Sequence, residues 1–119
     1  MIPAASGVDE LRDALRRFAA DRDWDQFHSP KNLAMALSVE VSELLEHFQW
    51  LTEAESNNIS AAARHAVGLE AADVLLYLIR LSDKLELDLM AVAYEKMRLN
   101  AEKYPVEKAR GSNKKYDKL

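Results

Sequence analysis

The chain has 119 residues, a length that suits one domain spanning 1–119, and 49% of it is hydrophobic, enough for a real core. Its net charge of −4 argues against a broad electropositive surface for nucleic acid. It has no cysteine, which excludes disulfides and thiolate metal sites and fits a reducing, cytoplasmic location.

In chain order, "MIPAASGVDEL" has neither the basic nor the apolar region of a signal peptide. A first helix is expected from about Val8 to Asp21, with Ser6 and Asp9 spaced as a weak capping box and Leu11, Leu15 and Phe18 on one face. "RDWDQFHSP" reads as a connector, and Ser29-Pro30 as the cap and first position of a second helix. Leu37, Val41, Leu44 and Phe48 follow a core-facing seam on that helix. "WLTEAESNNIS" reads as a polar connector with a short helical turn from Thr52. A third helix is expected from near Ser60 to about Leu85, and a fourth from an Asp88 cap to before Pro105. The remainder, 106–119, reads as a flexible basic tail; from Lys103 onward there are six Lys or Arg against two acids. No run reaches membrane-spanning length, the longest being Val74 to Ile79. With three Gly, three Pro and no alternating apolar run, the fold class is all-α, a bundle of four to five helices.

Within the third helix, Glu70, Asp73, Tyr77 and Arg80 are spaced 3, 4, 3 and form one stripe. Alone, that stripe reads as the exposed face of an amphipathic helix. Most of the remaining circumference is apolar, however, which calls for partners on several sides and suggests oligomerisation. On the second helix Glu40 and Glu43 are also three apart and can likewise be read as a solvated face. If the two helices are antiparallel neighbours, the four acids can meet. Such a cluster repels itself unless protons or cations neutralise it, and an all-oxygen set favours Mg²⁺ or Mn²⁺.

Other chemistries lack their motifs. No Glu is followed three residues later by His, as a di-iron bundle requires, and H-E-x-x-H is absent. There is no P-loop, no G-x-S-x-G and no nucleophilic cysteine.

The ordered set "EVSELLEHFQW", "LEAADVLLYLIRL" and "KMRLNAEKYP", with "RDWDQFHSPKNLAMALS" before it and "KYPVEKARGSNKKY" at the end, resembles the all-α MazG-type nucleoside triphosphate pyrophosphohydrolases. The similarity is greatest to the small dCTP pyrophosphatase branch and covers about Leu11 to Tyr116. It implies a homo-oligomer, usually a tetramer, that converts a nucleoside triphosphate (dCTP or a modified dCTP) to monophosphate and pyrophosphate, sanitising the nucleotide pool. It implies Mg²⁺, with Mn²⁺ as a substitute, held by Glu40, Glu43, Glu70 and Asp73, and Glu43 or Glu40 as the base that takes a proton from water. Trp24, His28, Trp50 and Tyr77 match the base-pocket region; Lys96, Asn100, Lys103 and Tyr104 match the phosphate-contacting region. Val39 stands where many members have a further Glu, as in the dCTP branch. Leu15 stands where some dCTP-preferring relatives have His, which leaves base preference open. The rival expectations are a related dUTP or broad-specificity phosphohydrolase and a non-catalytic helical oligomerisation module.

Overall fold

A computed structural model describes residues 7–119. The described residues form helices α1 (Val8–Asp21), α2 (Pro30–Glu46), α3 (Glu53–Ser56), α4 (Ala61–Lys84), α5 (Leu89–Lys103) and α6 (Val106–Ala109). Two 3₁₀ turns, Asp25–Phe27 and Tyr116–Lys118, complete the set, and no strand occurs among the described residues. The all-α expectation holds: four long helices carry the fold, and α3 and α6 are single turns. None of these helices is long and apolar enough to cross a membrane.

Local chemistry explains most of the boundaries. The Ser29 hydroxyl accepts from the Asn32 amide at 3.1 Å, with Pro30 next in line, so α2 starts where its cap dictates. Thr52 and Glu55 form a reciprocal capping box that creates α3. Ser60 caps α4 through Ala63, and Asp88 caps α5 through Ala91. The expected Ser6 contribution to the start of α1 lies outside the described residues; Gly7 occupies the cap position and supplies no side-chain bond.

The described residues divide into two compact units between Glu86 and Leu87. In the first, α4 is the spine, and α2 and α1 pack along it. Glu40 and Glu43 meet Glu70, while His47 shares a groove with Ala63, so α2 and α4 run antiparallel. Arg16 of α1 makes a bidentate ion pair with Asp83 of α4, its Nε donating at 2.7 Å. The chain leaves α1 through Asp23, whose φ of 54° lies in the left-handed region that Asp tolerates better than most residues. That turn brings Trp24 and His28 back beside α1 and α4.

Two expectations about faces are corrected. Val41 does not belong to the core seam of α2: it is 47% exposed. Leu33 is the most buried residue of α2, and Glu40, two turns further on, shares its side. On α4 most of the polar stripe, Glu70, Tyr77 and Arg80, is turned away from solvent. Arg80 is 6% exposed, whereas Leu69 is 58% and Leu75 41% exposed. Helices α1 and α2 pack along α4 so that Arg80 is buried beside the apolar Ile79, which is 2% exposed, while Asp73 of the same stripe remains exposed.

In the second unit, the 106–119 segment carries two short turns, α6 and the 3₁₀ turn Tyr116–Lys118. After α6 the chain returns so that the Tyr116 amide donates to the Tyr104 hydroxyl at 3.2 Å, with the two rings edge-on at 6.1 Å. Lys103 places its ammonium 5.0 Å from the Tyr116 ring centre. A cation–π contact and an aromatic pair of this kind leave no local pattern in the sequence.

Candidate active site

Glu40 and Glu43 lie on consecutive turns of α2, and Glu70 projects from α4 toward them. One carboxylate oxygen from each lies within 4.8 Å of the others. Glu40 and Glu70 each bury an oxygen, Oε2, that no hydrogen bond reaches. Buried carboxylate oxygens are normally paired, so two orphans side by side mark a place where a positive ligand fits. The titration behaviour agrees. Burial raises the Glu40 carboxyl above its usual range, followed by its hydrogen bond to Glu43 and repulsion from Glu43, Asp73 and Glu70. Burial also raises Glu70, with Glu43 and Asp73 adding to the shift and His47 opposing it. Three crowded carboxylates with only oxygen to offer suit a hard divalent cation.

Asp73 stands one turn beyond Glu70 and is not in the 4.8 Å group. It is close enough to raise both Glu40 and Glu70, and it lines the neighbouring cavity. That cavity holds about 380 Å³. Its α1 wall is Leu11, Ala14, Leu15, Phe18 and Ala19; the turn after α1 adds Trp24 and His28; α4 adds Asp73, Leu76, Tyr77 and Arg80. Trp24 packs edge-on against Phe18 at 5.7 Å and His28 at 6.5 Å. The wall is mostly apolar with a few polar groups, the usual make-up of a small-molecule site.

The structure thus brings Glu40, Glu43 and Glu70 together, and Trp24, His28, Tyr77 and Asp73 together, with Asp73 adjoining both groups. It does not bring Trp50 to the cavity. Trp50 follows α2 and is 86% exposed. Lys96 and Asn100 are exposed on α5, Lys103 closes that helix, and Tyr104 is its C-terminal cap. Sequence reasoning overlooked Arg80 as part of the cavity, although it shares the stripe of Glu70, Asp73 and Tyr77. It also overlooked the charge lattice behind it. Asp25 accepts from Arg80 Nη2 at 2.6 Å and pairs with Lys84. Lys84, then Arg80, hold the Asp25 carboxyl below its usual range; Arg16 does the same for Asp83.

An antiparallel all-α spine, a crowded carboxylate cluster and an aromatic cavity beside it define the class, and the chain belongs to the MazG-like family, whose sequence model matches residues 35–119. Among individual relatives, it is 42% identical to human (Homo sapiens) dCTP pyrophosphatase 1 over 114 residues, covering 94% of this chain and 67% of that protein. It is 41% identical to the rat (Rattus norvegicus) dCTP pyrophosphatase 1, with the same coverage. Its fold matches the crystal structure of a pyrophosphatase from Archaeoglobus fulgidus with a TM-score of 0.79 at 40% identity, covering 88% of this chain and 98% of that one.

Proposed function

We propose that this chain is a divalent-metal-dependent nucleoside triphosphate pyrophosphohydrolase that converts dCTP, or a modified dCTP, to the monophosphate and pyrophosphate. The observation that carries the reading is the adjacency of the Glu40–Glu43–Glu70 cluster to the Trp24–His28–Tyr77 cavity, with Asp73 between them. The similarity to the dCTP pyrophosphatases agrees with it.

Glu40, Glu43 and Glu70, joined by Asp73, would hold the metal, and Mg²⁺ is the ion we assign, with Mn²⁺ as a substitute. Bound there, it supplies charge neutralisation for the triphosphate and lowers the pKa of a water. Glu40 or Glu43 takes the proton of the water that attacks the α-phosphorus. The α–β bridging oxygen departs with pyrophosphate, and no covalent enzyme intermediate forms. Trp24 and Tyr77 take the base, and His28 contributes at its edge. Lys96, Asn100, Lys103 and Tyr104 are assigned to the phosphates, with the basic 106–119 segment beside them in sequence. The 119 residues are proposed to work as one domain, in a cytoplasmic enzyme.

The outward apolar residues of α4 and α2, Leu69, Leu75, Val39 and Leu45, support a homo-oligomer, which we assign as a tetramer. Trp50, 86% exposed in its own chain, is assigned to the cavity of a neighbouring copy in that assembly. The testing experiment is pyrophosphate release across the common ribo- and deoxynucleoside triphosphates, with Mg²⁺ and with excess chelator. Magnesium-dependent release from dCTP is expected, and release from no nucleotide would refute the reading in favour of a non-catalytic module.

A further inference from the structure

Arginine has five N–H donors and no acceptor, and it stays protonated in proteins. Arg80 donates from Nε to Nδ1 of His28 at 3.1 Å. That nitrogen therefore carries a lone pair, and the proton of the neutral ring sits on Nε2. Arg80 is also held by charge: Nη2 donates to Asp25 at 2.6 Å, and Nη1 lies 3.6 Å from Asp83. Arg80 lines the cavity but is only 6% exposed, and its Nε N–H is turned to His28, so that donor acts on a ligand through the His28 ring. His28 lines the cavity together with Leu11, Leu15 and Phe18 of α1, which offer no side-chain donor. Burial, then the positive charges of Arg80 and Lys84, keep the His28 pKa below its usual value, in keeping with a neutral ring.

We infer that Arg80 is a positioning residue that holds His28 as the Nε2-protonated tautomer, so that the cavity presents a fixed N–H donor to the base edge and selects cytosine over uracil and thymine. Cytosine has an unprotonated N3 that accepts a hydrogen bond; uracil and thymine carry hydrogen there, and two donors cannot pair. The tautomer follows from the Arg80 contact alone, while the selectivity rests on the function proposed above. A hydroxyl such as that of Tyr77 can donate or accept, so it would discriminate less than a ring nitrogen whose proton is fixed.

The test begins with the ¹⁵N shifts of the His28 ring in the intact wild-type protein at neutral pH, assigned by their loss in His28→Gln. Nδ1 unprotonated and Nε2 protonated is the expected result. Kinetics on dCTP and dUTP follow. Arg80→Met and His28→Ala are expected to lower the dCTP-to-dUTP ratio of kcat/KM by about tenfold or more, mainly through KM. His28→Gln, whose amide N–H falls near the position of Nε2, should restore much of it. If Arg80→Met does not fold, the wild-type spectrum and the His28 pair decide. A protonated Nδ1, or a ratio unmoved by His28→Ala, overturns this inference while leaving the pyrophosphohydrolase intact. Absence of turnover with any nucleoside triphosphate removes the proposed function and the selectivity with it, but not the tautomer.

Discussion

Glu40 of α2 and Glu70 of α4 bring carboxylate oxygens within 4.8 Å of each other, and each buries an oxygen that no hydrogen bond satisfies. Like charges are thus held together across a helix interface that would be more stable without them, and the expected consequences concern metal, charge and assembly.

Mg²⁺ or Mn²⁺ should raise the melting temperature, because the cation binds the folded cluster and the unfolded chain has no such site. Excess chelator should abolish turnover and lower the melting temperature together. Thermal melts and pyrophosphate release in the same buffers check this, and full activity in chelator would refute metal dependence.

Glu70→Gln and Asp73→Asn each remove one charge while nearly keeping shape. Turnover should fall by orders of magnitude in both, while metal-free stability stays level or rises as repulsion is relieved. If the acids served only as solvated surface, stability would change by no more than about 0.5 kcal/mol and activity would be untouched.

Without metal, stability should fall as pH rises above about 4.5, the ordinary glutamate value. The sign follows from linkage. Folding raises the Glu40 and Glu70 pKa values, so between the unfolded and folded values the native state binds more protons, and stability decreases with pH. His28, whose folded pKa is depressed, works the other way up to its ordinary 6.5. Asp25 and Asp83 lose their stabilising effect only as pH falls below about 3.8. The carboxylate effect is therefore read as the difference between wild type and Glu70→Gln in chelator. That difference should shrink when Mg²⁺ is added, since the ion replaces the protons. A slope equal in the two proteins would count against the raised Glu70.

Light scattering should report at least a dimer, and a tetramer on our assignment, at micromolar concentration. Leu69→Glu and Leu75→Glu should weaken the assembly, because each places a charge on an apolar face of α4. A monomeric wild-type protein would contradict the assignment.

Trp50→Ala should raise KM for every nucleotide by roughly tenfold, as expected when about 1.4 kcal/mol of stacking is lost. Because Trp50 is 86% exposed in its own chain, the effect should disappear in a variant already dissociated to monomers. An unchanged KM in the assembled protein would remove Trp50 from the pocket.

The caps at Ser29 and Asp88 and the helix starts at Thr52 and Ser60 were legible in the sequence because each depends on neighbours within three residues. Spacing also placed Glu70, Asp73, Tyr77 and Arg80 on one face. It could not say whether that face met solvent or another helix, since both produce the same 3, 4, 3 pattern. The answer depends on where α1 and α2 pack, a property of the whole fold. The same limit explains Val41, placed in the seam by periodicity but exposed, and Glu40, which sits inward beside Leu33. The Arg80–His28 contact spans 52 positions and leaves no local trace. Trp50 is 86% exposed and does not line the cavity of its own chain, which spacing along the sequence could not reveal.

Asp73 has a consequence beyond its charge. It acts electrostatically on Glu40 and Glu70 while lining the cavity assigned to the base. If Asp73 serves both the proposed cation site and the proposed nucleotide site, it couples them, and that coupling is reciprocal: whatever factor the cation adds to nucleotide binding, the nucleotide adds to cation binding. The enzyme would then discriminate among nucleotides partly by how well each one completes its own cation site, so a poorly seated base would also hold its metal loosely. Replacing Asp73 should uncouple the two affinities as well as weaken each.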